Sequence, residues 1–80
     1  MENNEIKSRI ITIIDEVVQI DNLSLPEKTA IIGSDSIKAL LFLTAIEEEF
    51  EVEIDDDYIN SSFFFDMEYI VNCIENVMNN

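Results

Sequence analysis

The sequence has no histidine, one cysteine, one glycine, one proline and four basic residues among its 80. Each shortage excludes something. Without His, Cys73 cannot complete a zinc site or form a Cys–His catalytic pair, and the nearby Asn72 and Glu75 offer no activating charge. A lone Cys closes no internal disulfide. One Gly and one Pro are too few for a β-sandwich or barrel, which needs turn residues every few positions, whereas helices need only a few caps. No apolar run approaches the roughly 20 residues of a membrane span. The opening MENNEIKSR is polar and mixed in charge, unlike a secretory leader. A soluble, cytoplasmic, all-helical protein is the expectation.

What the chain has in excess is negative charge. Eighteen acidic residues against four basic ones give a net charge of -14. That sign repels phosphate backbones and anionic lipid, so neither nucleic acid nor membrane is an expected partner. It keeps a chain soluble, favours a monomer and attracts basic proteins. A generally solvated acidic surface is the plainer alternative. The apolar fraction of 48% is ordinary for a folded core, and residues 1–80 read as one small domain without repeat or linker.

Helical periodicity organises the rest. Ile6, Ile10, Ile13, Ile14 and Val17 recur on one stripe of a first helix from about Asn4 to Gln19. From Ile20 to about Asp35, the residues Asp21, Asn22, Ser24, Pro26 and Gly33 supply turn chemistry and predict a long loop. Leu23, Leu25, Ile31 and Ile32 would tack that loop onto the core. A second helix is predicted from Asp35 or Ser36 to Phe50, where Asp and Ser oxygens suit the unpaired amides of the first turn. Ala39, Phe42, Leu43, Ile46 and Phe50 share its buried face, with Leu40 at the margin. Ile37, Leu41, Thr44 and Glu48 share the opposite face.

A short third helix is predicted over Asp55–Ile59, with acidic residues at its positive N-terminal end. The last helix should start after Asp66 and bury Met67, Ile70, Val71, Ile74, Val77 and Met78. The predicted fold is a four-helix bundle: three longer helices, one short third helix and a long loop between helices one and two.

The segment Gly33-Ser34-Asp35-Ser36-Ile37 resembles the Gly-x-Asp-Ser-Leu signature of acyl carrier proteins. Its setting strengthens the likeness. The Ser opens an amphipathic helix ending in Glu47-Glu48-Glu49-Phe50 and followed by Glu53-Ile54, similar to the family's acidic segment. The helix order agrees as well, so the resemblance covers nearly the whole chain.

The resemblance implies a stand-alone, non-catalytic carrier. Ser36 would hold 4'-phosphopantetheine, received from coenzyme A through a phosphopantetheinyl transferase, and Asp35 would contribute to recognition by that enzyme. Acyl intermediates would travel as thioesters on the arm to acyl-loading, condensing or acyl-transfer enzymes with basic docking patches. Ile37, Lys38, Leu41, Glu47, Glu48, Glu53, Asp55 and Asp56 are the docking residues this implies.

For several of these residues a purely structural reading stands beside the functional one. Ser36 and Asp35 could simply cap the helix, Ile37 and Leu41 could tuck against the long loop, and the acidic residues could be solvated charge. A phosphodiester on Ser36 would meet free backbone amides and the positive end of the helix dipole.

Fatty-acid carriers typically have acidic residues where this chain has Lys38 and Leu41, which points to a specialised fatty-acid or polyketide-type pathway. Two alternatives stand beside that reading. One is an aminoacyl or peptidyl carrier of a nonribosomal pathway; the other is an acidic helical adaptor that carries no prosthetic group. Phe63-Phe64-Phe65 departs from the family's short polar turn and is either packing or the lining of a cargo cavity. Asp55-Asp56-Asp57 lacks the spacing of a calcium loop, so no metal site is predicted.

Overall fold

The computed structural model describes residues 2–79, excluding the side chains of Ser61 and Phe65. Every regular element among the described residues is helical: α1 (Asn3–Val18), α2 (Leu25–Ser34), α3 (Ser36–Phe50), a 3-10 turn (Asp56–Tyr58), α4 (Ser61–Phe65) and α5 (Met67–Met78). The all-α class follows from the periodic stripes. In α1, Ile6, Ile10, Ile13, Ile14 and Val18 are buried, while Val17 is only partly covered. In α3, Phe42, Ile46 and Phe50 are buried. In α5 the buried set is Ile70, Val71, Cys73 and Ile74, and Met78 lies exposed rather than in the core as predicted.

Residues 25–34 correct the predicted long loop. They form a ten-residue helix because Ser24 and Glu27 make a reciprocal capping box. Glu27 N–H donates to Ser24 Oγ at 3.3 Å, and Ser24 N–H donates to Glu27 Oε1 at 3.2 Å. The Ser24 hydroxyl also donates to Glu27 Oε1 at 2.9 Å. Donation by that hydroxyl, and secondarily by the Ser24 backbone, holds the Glu27 carboxyl below the usual glutamate range.

Pro26 sits in the first turn of α2, where its missing N–H costs no helical hydrogen bond. Thr29 and Ile32, spaced at helical register, turn into the core. Of the predicted anchors, Leu23, Leu25 and Ile31 pack partly buried against it.

The other helix ends are set locally. Gln19 and Glu51 close α1 and α3 in the left-handed region, at φ 55° and 54°, where glycine would be at ease. Asp55, Asn60 and Asp66 cap the 3-10 turn, α4 and α5 through their side chains. The predicted third helix is thereby reduced to a single 3-10 turn, and α4 is an additional element. Tyr69 fastens this region: its hydroxyl donates to the Tyr58 carbonyl at 2.9 Å and accepts from Asn60 Nδ2 at 3.0 Å.

α1 packs against α2, α3 and α5, α2 packs against α3 and α4, and α4 packs against α5. Phe63 lies in the core beside Phe42, their ring centroids 6.1 Å apart and nearly edge-to-face. The half-buried Phe64 completes the cluster, 5.4 Å from Phe63 and 6.5 Å from Phe42. Packing is thus the role of these two rings; the Phe65 side chain lies outside the described ones. The chain bends by 111° from α2 to α3 at Asp35, and among the described residues no single helix is long and apolar enough to cross a membrane.

All four cations sit in ion pairs. Lys28 reaches Asp15 between α2 and α1, and Lys7 reaches Glu68 between α1 and α5. Arg9 spans Glu5 and Glu49, linking α1 to the end of α3. Lys38 lies 3.9 Å from Asp35. Partly exposed pairs of this kind contribute about 0–1 kcal/mol each, so burial of the apolar stripes dominates the packing.

Candidate functional site

The sharp corner between α2 and α3 is the part of the fold that the sequence motif singles out. Asp35, extended at φ -122° and ψ 111°, separates the two helices. Its Oδ1 accepts the N–H of Ile37 at 2.9 Å and the N–H of Lys38 at 3.2 Å. The Asp35 carbonyl accepts Ala39 N–H at 2.8 Å. Asp35 is therefore the cap, and Ser36 is the first residue of α3.

This division of labour settles one of the open alternatives. The Ser36 side chain is exposed and makes no hydrogen bond among the described residues, so it is not held there as a cap. It also corrects the expected electrostatics. The Ile37 and Lys38 amides expected to face a phosphate are already engaged by the Asp35 carboxylate. For a negative group at Ser36 there remain its own backbone N–H, the helix dipole and the neighbouring Lys38 ammonium. That ammonium is itself 3.9 Å from Asp35 Oδ2.

Beyond Ser36, α3 turns an apolar face to solvent. Ile37 is 71% exposed, Leu40 63% and Leu41 54%, more than any other large hydrophobic side chain described. Ile37 and Leu41 do not tuck against the preceding segment. Leu40, expected at the margin of the buried face, points outward with them and was missed as a candidate. Its signal was present: positions 37, 40, 41, 44 and 48 repeat at the three- and four-residue spacing of one helical face. Thr44 and Glu48, further along, are also exposed.

The acidic candidates separate into different environments. Glu47 is half-buried, and its Oε2 accepts the N–H of Ile54 at 2.8 Å, which ties the segment after α3 back to the helix. Glu53, Asp55 and Asp56 are exposed. Together with Glu47 and Ile54 they line an open cavity of about 350 Å3. Asp55 also accepts Asp57 N–H at 3.1 Å as the cap of the 3-10 turn. No group of His, Cys, Asp or Glu among the described residues is arranged to hold a metal ion.

Two further features lie elsewhere. A hollow of about 190 Å3 opens between Leu25, Pro26, Thr29 and Met67. Cys73 is buried, and that burial raises its thiol pKa. A thiol kept neutral in this way is a poor nucleophile.

The corner thus brings Asp35, Ser36, Ile37, Lys38, Leu40 and Leu41 to one end of α3. The acidic cavity lies at the other. Comparison of the chain with protein-family models, with curated proteins and with solved structures finds no match in any of the three.

Proposed function

We propose that the chain is a non-catalytic acyl carrier domain over residues 1–80, with Ser36 as the attachment point of a 4'-phosphopantetheine arm. One observation carries the reading: Asp35 takes the cap of α3, leaving the Ser36 hydroxyl exposed and uncommitted at the apex of a 111° corner. A hydroxyl there is reachable by a modifying enzyme, and a flexible arm leaving that point meets solvent on its way to a partner.

In this reading the four-helix carrier plan is made by α1, α3, the short elements after α3, and α5. Acyl groups ride on the arm as thioesters, and bond-making belongs to acyl-loading, condensing or acyl-transfer enzymes that approach with basic patches. Lys38 and the apolar side chain of Leu41 favour partners of a specialised fatty-acid or polyketide-type pathway, in the cytoplasm. Asp35 acts twice, as helix cap and in recognition by the phosphopantetheinyl transferase.

A second reading, an acidic helical adaptor without an arm, draws support from the exposed Ile37, Leu40 and Leu41, since such a face suits binding by itself. Intact mass after incubation with coenzyme A, magnesium and a broad-specificity phosphopantetheinyl transferase separates the two. A carrier gains the mass of one arm, and Ser36→Ala gains none. If the wild-type chain gains nothing from a transferase that modifies another carrier in parallel, the adaptor reading replaces the carrier.

A further inference from the structure

The cations of this chain are not used alike. Lys7, Arg9 and Lys28 each tie one helix to another, through Glu68, Glu49 and Asp15. Lys38 ties no two elements together. Its partner Asp35 lies three residues back in the same turn, and at 3.9 Å the contact is the longest of the ion pairs described. That distance is beyond hydrogen-bond reach. Asp35 is already served without it, because Oδ1 accepts the N–H groups of Ile37 and Lys38, and only Oδ2 faces the ammonium. The Lys38 side chain is also one-third exposed.

A phosphodiester on Ser36 would change the charges at this corner. Ser36 fits such a group, with an exposed hydroxyl and a backbone N–H that no described acceptor takes. The group adds a negative charge beside Asp35, in a chain already at -14. Neighbouring anions repel each other. From Ile31 to Leu41 the charged side chains are Asp35 and Lys38 alone, so the compensating cation close in sequence is Lys38. A lysine ammonium is a point charge on a flexible stem with several donors, free to turn to the anion that offers it more.

We infer that Lys38 exchanges partners when the arm is attached, leaving Asp35 for the phosphodiester on Ser36. This exchange rests on the carrier reading, and it gives Lys38 a role other than docking. Asp35 keeps its two amides and remains the cap, so α3 starts where it did. The charge of the arm is then balanced from within a chain that is short of cations. The effect is electrostatic and close to solvent, so salt screens it.

The quantity to measure is the stability lost on adding the charge, in the full chain. Wild type, Lys38→Gln and Lys38→Arg are each modified with coenzyme A, magnesium and a broad-specificity phosphopantetheinyl transferase, and intact mass confirms one arm. Tm is compared between the unmodified and modified forms of each. Taking that difference removes whatever Lys38 contributes to the fold without the arm. At low salt, modification should lower the Tm of Lys38→Gln by about 1–4 °C more than that of wild type or Lys38→Arg. At high salt the three should converge. The phosphorus resonance of the modified protein should differ between wild type and Lys38→Gln at low salt.

Ser36→Asp, made in the wild-type and Lys38→Gln backgrounds, puts a negative charge at the same position without a transferase. It should show the same dependence on Lys38. An equal change of Tm in the two backgrounds, or a difference that persists at high salt, overturns the exchange, whether read on the arm or on Ser36→Asp. Wild-type protein that takes the arm without this dependence leaves the carrier reading standing. Wild-type protein that gains no mass removes the carrier reading, and the exchange with it.

Discussion

Asp35 Oδ1 accepts the backbone N–H of Ile37 at 2.9 Å, and this contact, with the parallel one from Lys38, gives the start of α3 to Asp35 and frees Ser36. The pair Asp-Ser is ambiguous in sequence, because either oxygen can cap a helix. In the folded chain the two residues have different work. Their substitutions should therefore differ as well.

Ser36→Ala should leave stability within about 0.5 kcal/mol of the parent, because the side chain is exposed and bonds to nothing described. Asp35→Ala, which strips the cap from two amides, should cost about 1 kcal/mol. For a domain of this size that is a fall in Tm of about 4–8 °C. Thermal unfolding followed by circular dichroism reads both, and a larger loss in Ser36→Ala would reverse the assignment of cap and attachment residue.

The aromatic cluster offers a sharper contrast. Phe63 is fully buried against Phe42, whereas the adjacent Phe64 keeps part of its ring in solvent. Phe63→Ala should cost about 3–5 kcal/mol, enough to leave a small domain largely unfolded. Phe64→Ala should cost clearly less. Urea unfolding of the two variants checks the order, and equal losses contradict the packing described.

Salt should stabilise the protein. Screening weakens the ion pairs, each worth at most about 1 kcal/mol, but it also weakens repulsion among eighteen carboxylates opposed by four cations. The second effect is the larger at this imbalance. Tm measured by calorimetry should rise from low to moderate salt; a fall would mean that the pairs of Lys7, Arg9 and Lys28 outweigh the repulsion.

Acid should remove one local source of stability, which a local probe can read. Hydrogen bonds from Ser24 lower the folded pKa of Glu27, so this carboxylate contributes stability that is fully present above the unfolded glutamate pKa. That contribution is lost as the pH falls through the lowered folded value. The Glu27 carboxyl carbon should titrate by NMR below the usual glutamate range, and Ser24→Ala, which keeps the backbone N–H, should move it part of the way back. Unchanged titration in Ser24→Ala rules out the Ser24 hydroxyl as the main cause.

How much was legible depended on whether a signal was periodic or local. The stripes of α1, α3 and α5 repeat over three or more turns, and residue spacing alone locates them. α2 is ten residues long, and its Pro26 and Gly33 look like punctuation until Ser24 and Glu27 are recognised as a capping pair. The five-residue α4 is too short to show a period, and its Asn60 cap is a single residue. At the site, Ser36, Asp35, Ile37 and Leu41 were legible from motif and face, while Leu40 shares their spacing but lies at the edge between the two faces, where spacing alone does not say which side is covered.

The amino-acid sequence by itself determined that the chain is helical, that its surface is acidic, and that an Asp-Ser pair opens the helix with the acidic ending. Those properties belong to composition, charge and repeat, and no neighbour can change them. Tertiary structure alone decided that Leu40 faces water, that Phe63 and not Phe64 fills the core, and that Glu47 is drawn to the Ile54 amide. A period says which residues share a face. Only the packed neighbours decide which edge of that face is covered, and which polar group meets an amide that would otherwise go unpaired.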